Sequence, residues 1–164
     1  MRRIGFIGTG EIAYLHAQAL SRLQPAPRIA AAYDVDREAL AGFCAAFHAS
    51  PMERAQEVFE AGDIDAVYIC TRHDSHVPLA AAACRAKKPV FLEKPAAMSL
   101  AQARLLEEAH RQHPVPFAVG YNMRVTPAML RLRELLDEAE ARPHSFRANM
   151  TGPPFMQGWA SDAK

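Results

Sequence analysis

Short apolar runs alternate along this chain with longer stretches whose apolar residues recur at helical spacing. Ile4-Gly5-Phe6-Ile7 is the first run, and the stretch from Glu11 to Leu23 behind it carries Ile12, Leu15, Ala19 and Leu20 at helix-face intervals. Ile29 to Tyr33 is the next run and ends at Asp34. Asp36 to Phe47 returns to helical period, with Leu40, Phe43, Cys44 and Phe47 on one side, and Met52 to Glu60 predicts a further short helix. Ala66-Val67-Tyr68-Ile69-Cys70 is apolar without alternation, the pattern of a parallel strand covered on both faces. His76 to Ala86 is an alanine-rich helix, and Pro89 to Leu92 is strand again. Ser99 opens the next helix with Gln102 at capping-box spacing, and Leu105, Leu106 and Ala109 mark its core side. Phe117-Ala118-Val119 is one more strand, followed by a helix from Thr126 in which Pro127 suits the first position. The Arg131–Glu140 charge run reads as a solvated helix face.

This alternation predicts an α/β fold, a doubly wound parallel sheet of Rossmann type with helices on both faces. The last stretch breaks the rhythm. His144 to Met150 predicts one strand, and Thr151 to Lys164 holds Gly152, Pro153, Pro154 and Gly158 with no element to finish. The expected division is therefore a first domain over 1–121, then over 122–164 a linking helix and the first strand of a second α/β domain.

Composition changes this picture little. The 164 residues are 50% hydrophobic and 23% charged, ordinary for a globular chain and unlike a disordered one. Lys+Arg 19 against Asp+Glu 18 leaves a net charge of +1. No basic surplus draws the chain to nucleic acid or a membrane surface, so any anion must be held by a local site. Cys44, Cys70 and Cys84 have no metal-ligand spacing and read as buried thiols in a reducing compartment. With no signal-peptide core and no long apolar span, a soluble cytoplasmic protein is expected.

Candidate chemistry begins at Gly8-Thr9-Gly10-Glu11-Ile12-Ala13, which follows the first strand and opens the first helix, the context of a dinucleotide fingerprint. Gly8 permits the tight turn, Gly10 lets main chain approach a pyrophosphate, and Ala13 takes the small position where helix packs on strand. Glu11 and Ile12 bring the first main-chain N–H groups of the helix to the same anion. Asp34 ends the second strand roughly 20 residues beyond, where an acid receives ribose hydroxyls. A carboxylate there repels a 2′-phosphate, so NAD is favoured over NADP, although the Arg37 cation nearby leaves NADP open.

Three further segments sharpen the reading: Thr71-Arg72-His73-Asp74-Ser75-His76, Glu93-Lys94-Pro95 and Gly120-Tyr121-Asn122-Met123-Arg124, each just after a predicted strand. Their order resembles the glucose–fructose oxidoreductase / inositol dehydrogenase (Gfo/Idh/MocA) family, with Glu-Lys-Pro the most specific mark. The resemblance runs from Arg3 to about Asp162. It implies a Rossmann domain followed by an α/β domain on a large, mostly antiparallel sheet. It also implies hydride transfer between a nicotinamide cofactor and a hydroxyl or carbonyl carbon of a sugar, cyclitol or similar small molecule.

Carried over by position, the resemblance has Gly8, Gly10, Ile12 and Ala13 holding the pyrophosphate and Asp34 the adenosine ribose. Thr71, Arg72, His73 and His76 would line the cofactor, Glu93 would sit at the nicotinamide end, and Asn122 and Arg124 would flank the nicotinamide and the substrate mouth. Lys94 would contact the cofactor and face the substrate as the catalytic residue, in a turn where a cis Lys-Pro bond is the family's habit. A lysine suits the chemistry because an alcohol losing hydride must also lose a proton, and a developing alkoxide needs a cation. The chain departs from the family at Arg72 and His73, where Pro and Asn are frequent, and at Met123, where Arg is frequent. The family's second functional pair lies in the second domain, so weak or absent activity of these residues alone is expected. A stand-alone nucleotide-binding module, one paired with a separately encoded C-terminal half, a homo-oligomer and an inactive fragment stay open. No metal is expected, and His16, His48, His110, His113 and His144 read as surface histidines.

Overall fold

The computed structural model describes residues 1–138 and Ser145; apart from Ser145, the expected strand over 144–150 and the stretch after it lie outside the described residues. Six parallel strands form one sheet in the order β3-β2-β1-β4-β5-β6. They are β1 (Arg3–Ile7), β2 (Arg28–Tyr33), β3 (Ser50–Pro51), β4 (Ala66–Ile69), β5 (Val90–Leu92) and β6 (Phe117–Val119). The helices between them are α1 (Glu11–Ser21), α2 (Arg37–Phe47), α3 (Ala55–Glu60), α4 (His76–Arg85) and α5 (Leu100–Gln112). This is the doubly wound Rossmann order, with the direction of winding reversing between β1 and β4. By contact, the chain divides into units 1–122 and 123–164. The second holds α6 (Pro127–Glu138), with Pro127 at its first position and the Arg131 guanidinium bonded to Glu134 and Glu138 on an exposed face.

The inner strands β1 and β2 are buried on successive residues, which is why their runs do not alternate, while the edge strands β3 and β6 stay exposed or half-buried. Phe6, Ala32 and Cys70 pack with Ala13, Ala17, Leu40 and Phe43 from α1 and α2. Ile7, Val67, Ile69, Val90 and Leu92 pack with Val58, Phe59, Val77, Ala80, Ala83 and Leu106 from α3, α4 and α5. Capping follows the sequence. The Asp36 carboxylate accepts the N–H groups of Glu38 and Ala39 at the start of α2. Ser99 accepts from Gln102 N–H, while the Gln102 carboxamide turns back to Met98 N–H, one residue outside the usual box. Cys44, Cys70 and Cys84 are buried free thiols.

One strand is unexpected, and three expectations are corrected. The two-residue β3 is too short to show a period. The third helix begins at Ala55, three residues later than its apolar pattern suggests. Helix α1 turns Ala13 and Ala17 to the sheet, both 0% exposed, and leaves Ile12 39% and Leu15 54% exposed; only the alanine side lets it lie close enough for the glycine turn to close. On α5, Leu106 is buried but Leu105 is 65% exposed, because α5 packs mainly against α4 and turns only its Leu106 side to the core.

Phe43 ties α2 to β1 and α1. Its ring lies 5.1 Å from Phe6, 5.3 Å from Tyr14 and 4.8 Å from Phe47, and the residue is fully buried. Phe43→Ala is expected to cost about 3–5 kcal/mol of unfolding free energy. Urea denaturation measures this, and a loss under about 1 kcal/mol would contradict the packing described.

Candidate functional site

The carboxyl ends of β1, β2, β4 and β5 meet at the topological switch point, the usual binding crevice of an open α/β sheet. Gly8 leaves β1 with φ at +87° and donates its N–H to Tyr33 O at 2.8 Å. A Cβ there would come within 2.6 Å of the Cys70 carbonyl carbon and oxygen, so no side chain fits. Gly10 is the N-cap of α1, no side chain caps it, and a Cβ on it would meet nothing within 4 Å. The amino end of α1 thus presents main-chain N–H groups and partial positive charge to open space, a cradle suited to a pyrophosphate. Glu11 and Ile12 are exposed in its first turn and Ala13 is buried against the sheet.

Asp34 is more committed than the sequence suggests. Its Oδ2 accepts Thr9 N–H at 2.6 Å and the Thr9 hydroxyl at 3.0 Å, and its Oδ1 accepts Asp36 N–H at 3.0 Å. A carboxylate has about four acceptor sites, so one, on Oδ1, is left for a hydroxyl unless the Thr9 hydroxyl turns away. Beside it opens a groove of about 420 Å³ lined by Thr9, Gly10, Glu11, Tyr14, Asp36, Glu38, Ala39 and Gly42. That lining carries three carboxylates and no cation. Arg37 pairs instead with Glu53 across an exposed surface.

The loop after β4 places Thr71 and His73 half-buried and Arg72 exposed. Burial first, then the neighbouring charges of His76 and Lys94, hold the His73 imidazole below its ordinary pKa, against Asp74 and Glu93. His76 is corrected from a cofactor contact to a clasp. It is fully buried, with Nδ1 2.7 Å from Pro95 O and Nε2 3.1 Å from Thr71 O. Each ring nitrogen lies within hydrogen-bond distance of a main-chain carbonyl, one in the loop after β4 and one in the turn after β5. A neutral imidazole has one N–H and serves one of these carbonyls at a time; the doubly protonated ring serves both.

That second turn is Glu93-Lys94-Pro95, with a cis Lys94-Pro95 bond. Lys94 is exposed and Glu93 is 8% exposed. Burial pushes the Glu93 carboxyl up. The hydrogen bonds from His16 and Lys94 N–H, with the charges of both residues, outweigh it and hold the group below its ordinary value. The Cys70 thiol beside it is pushed well up by burial and by the Glu93 charge. Asn122 is exposed at the end of the first unit, and Arg124 is exposed in the second.

His16 is the residue that sequence reasoning missed. It is not a surface histidine: its Nε2 lies 2.7 Å from Glu93 Oε1. The available signal was its place between Ala13 and Ala17, three residues after one and one before the other, on the alanine side that faces the sheet. Among the described residues no group of three or more His, Cys, Asp or Glu side chains is arranged to hold a metal, and no helix is long and apolar enough to cross a membrane.

Sheet order, glycine turn and uncapped helix together define a Rossmann domain of the dinucleotide-binding class. Residues 2–121 match the model described as "Oxidoreductase family, NAD-binding Rossmann fold", and the chain belongs to this Gfo/Idh/MocA family. Inositol 2-dehydrogenase of Rhizobium meliloti (strain 1021) is 31% identical over 138 residues, covering 83% of this chain and 41% of that protein. Inositol 2-dehydrogenase of Acidothermus cellulolyticus is 34% identical over 144 residues, covering 86% and 42%. The crystal structure of an NAD binding oxidoreductase from Klebsiella pneumoniae superposes with a TM-score of 0.75 at 28% identity, covering 84% of this chain and 39% of that one. Scyllo-inositol dehydrogenase from Lactobacillus casei, 23% identical with a TM-score of 0.78, shares the fold. The chain spans about two fifths of the length of the relatives it matches.

The Glu93 shift carries a pH dependence. A carboxyl whose folded pKa is depressed contributes stability above its unfolded value of about 4.3, and loses it as pH falls through the folded value. Glu93→Gln is therefore expected to lower the melting temperature at pH 7, and the gap from the unaltered chain is expected to narrow on acidification below about pH 4. Melting curves between pH 3 and 7 test this; a gap that does not change with pH contradicts the assignment.

Proposed function

We propose that this chain carries the cofactor-binding and proton-transfer residues of an NAD-dependent oxidoreductase, acting between nicotinamide and a hydroxyl or carbonyl carbon of a cyclitol or sugar-like molecule. One observation carries the reading: the open, uncapped amino end of α1 and the Glu93-Lys94 turn share the switch-point crevice. The names of the inositol dehydrogenase relatives support the cyclitol class. Residues 1–121 are the nucleotide-binding domain in this reading, and 122–164 lead into a substrate domain.

The main-chain N–H groups of Gly10, Glu11 and Ile12 bind the pyrophosphate, the Gly8 turn clearing the way for it and Ala13, whose N–H is bonded to Gly10 O, letting the helix lie close. Asp34 accepts a ribose hydroxyl at its remaining site, and the carboxylates of Glu11, Asp36 and Glu38 in the groove disfavour a 2′-phosphate, which supports NAD over NADP. Thr71, Arg72 and His73 line the crevice from the loop after β4, while Asn122 serves the nicotinamide side. When bound, the dinucleotide supplies the acceptor or donor of hydride. Lys94 supplies the proton chemistry: its neutral amine takes the proton of a hydroxyl whose carbon is being oxidised, and its ammonium returns one to a developing alkoxide.

Calorimetric titration with NAD⁺ and NADP⁺ tests the binding half of this reading. NAD⁺ is expected to bind more tightly than NADP⁺, and Asp34→Ala to weaken NAD⁺ binding by about tenfold, the worth of a hydrogen bond to a charged acceptor. Lys94→Ala is expected to keep NAD⁺ binding and, in a protein that also carries the substrate domain, to lose hydride transfer from cyclitols to NAD⁺. A folded chain that binds neither dinucleotide would sink the proposal.

A further inference from the structure

His16 sits in the second turn of α1, and its side chain reaches across β4 to the end of β5. Phe6, Tyr68 and Phe91 are register neighbours on β1, β4 and β5. Their rings form a row under α1, 5.1 Å from Phe6 to Tyr68 and 4.6 Å from Tyr68 to Phe91. The His16 ring lies over the end of that row, 5.6 Å from Tyr68 and 4.9 Å from Phe91. Glu93 follows Phe91 at the two-residue spacing that keeps side chains on one face. There Oε1 accepts from His16 Nε2 at 2.7 Å and Oε2 accepts Lys94 N–H at 3.0 Å. Gly120 closes the far side: a Cβ on it would sit 2.9 Å from Glu93 Oε1 and 3.2 Å from Phe91 Cζ. The carboxylate is thus held from three directions over an apolar floor that excludes competing water, where a charge-assisted hydrogen bond is strong and directional.

We propose that His16 is a positioning residue: by holding the Glu93 carboxylate it fixes the main chain of Lys94 relative to α1, the helix whose amino end faces the pyrophosphate. One helix then sets the register between the bound dinucleotide and the proton-transfer lysine. What the turn is for rests on the functional reading above; how the turn is held rests on the geometry alone.

Amide exchange at Lys94 and NAD⁺ calorimetry, read together on the 164-residue chain, separate the two. His16→Ala is expected to speed exchange of the Lys94 amide by about tenfold and to raise the Kd for NAD⁺. His16→Gln, whose carboxamide N–H takes the place of Nε2, is expected to bring both back toward the unaltered values. Gly120→Ala leaves His16 in place but pushes Oε1 aside, and is expected to reproduce the His16→Ala exchange. Unchanged Lys94 exchange in His16→Ala overturns the proposal, as does failure of His16→Gln to rescue. If His16→Ala does not fold, Gly120→Ala decides, and unaltered exchange there overturns it. Faster exchange in His16→Ala, rescued by His16→Gln, in a chain that binds no dinucleotide, upholds the positioning role and sinks the functional reading instead.

Discussion

Strand β1 leaves the sheet at Gly8 through a gap between two neighbouring main chains. Its N–H is bonded to Tyr33 O of β2, and its α-carbon lies so close to Cys70 beyond β4 that a methyl group there would be 2.6 Å from the carbonyl. The positive φ at this point turns the chain sharply upward, and α1 begins three residues later with its amino end over the crevice. From that start, α1 runs down onto the sheet along Ala13 and Ala17, which have no bulk to hold it off. The same proximity brings His16 within hydrogen-bond reach of β5. A side chain at Gly8 would therefore disturb more than a turn: it would lift the helix, withdraw its amino end and part His16 from Glu93.

Loops at strand ends carry main-chain polar groups that a sheet no longer pairs, and each needs a partner. Here three buried or half-buried side chains supply them. Asp34 ties the loop after β1 to β2 through Thr9, and His76 ties the loop after β4 to the turn after β5. Glu93, held by His16, ties that same turn back to α1. Among the described residues no buried side-chain polar atom lacks a partner. The outcome is a crevice rim whose loops are fastened to one another before any ligand arrives, and preorganisation of that kind lowers the ordering cost of binding.

Much of this was legible in the chain. Runs such as Ala66 to Cys70, apolar on successive residues, announce a strand covered on both sides, and the glycines after Ile7 announce the turn. Local patterns fail where the deciding contact is distant. Ile12 and Leu15 satisfy helical spacing as well as Ala13 and Ala17 do, and only the closeness of the sheet selects the alanines. Leu105 matches the period of α5 but falls off the single row that touches the core. His16 and Glu93 lie 77 positions apart, and nothing in either neighbourhood names the other. His76 was legible as part of a motif, yet its two carbonyl partners, and hence its work as a clasp rather than a contact, depend on a tertiary approach.

The chain's net charge of +1 conceals a strong local ordering. Carboxylates from Glu11, Asp36 and Glu38 gather at the β2–α2 end of the crevice. The amino end of α1 contributes positive potential at its middle, and Lys94 brings a cation near its far end. Charges in water are screened beyond about 8 Å at physiological salt, so each stretch of the crevice acts on its own segment of a bound molecule. Under the proposed reading, the acidic end meets hydroxyl donors of the adenosine ribose, the helix terminus meets the doubly charged pyrophosphate, and the cation meets the oxygen that gains charge as hydride moves. An additional phosphate on the ribose would fall among the carboxylates, where Arg37, already engaged by Glu53, does little to offset them. In that reading, cofactor choice is a matter of which segment of the ligand carries charge, and each segment meets the loop of a different strand end.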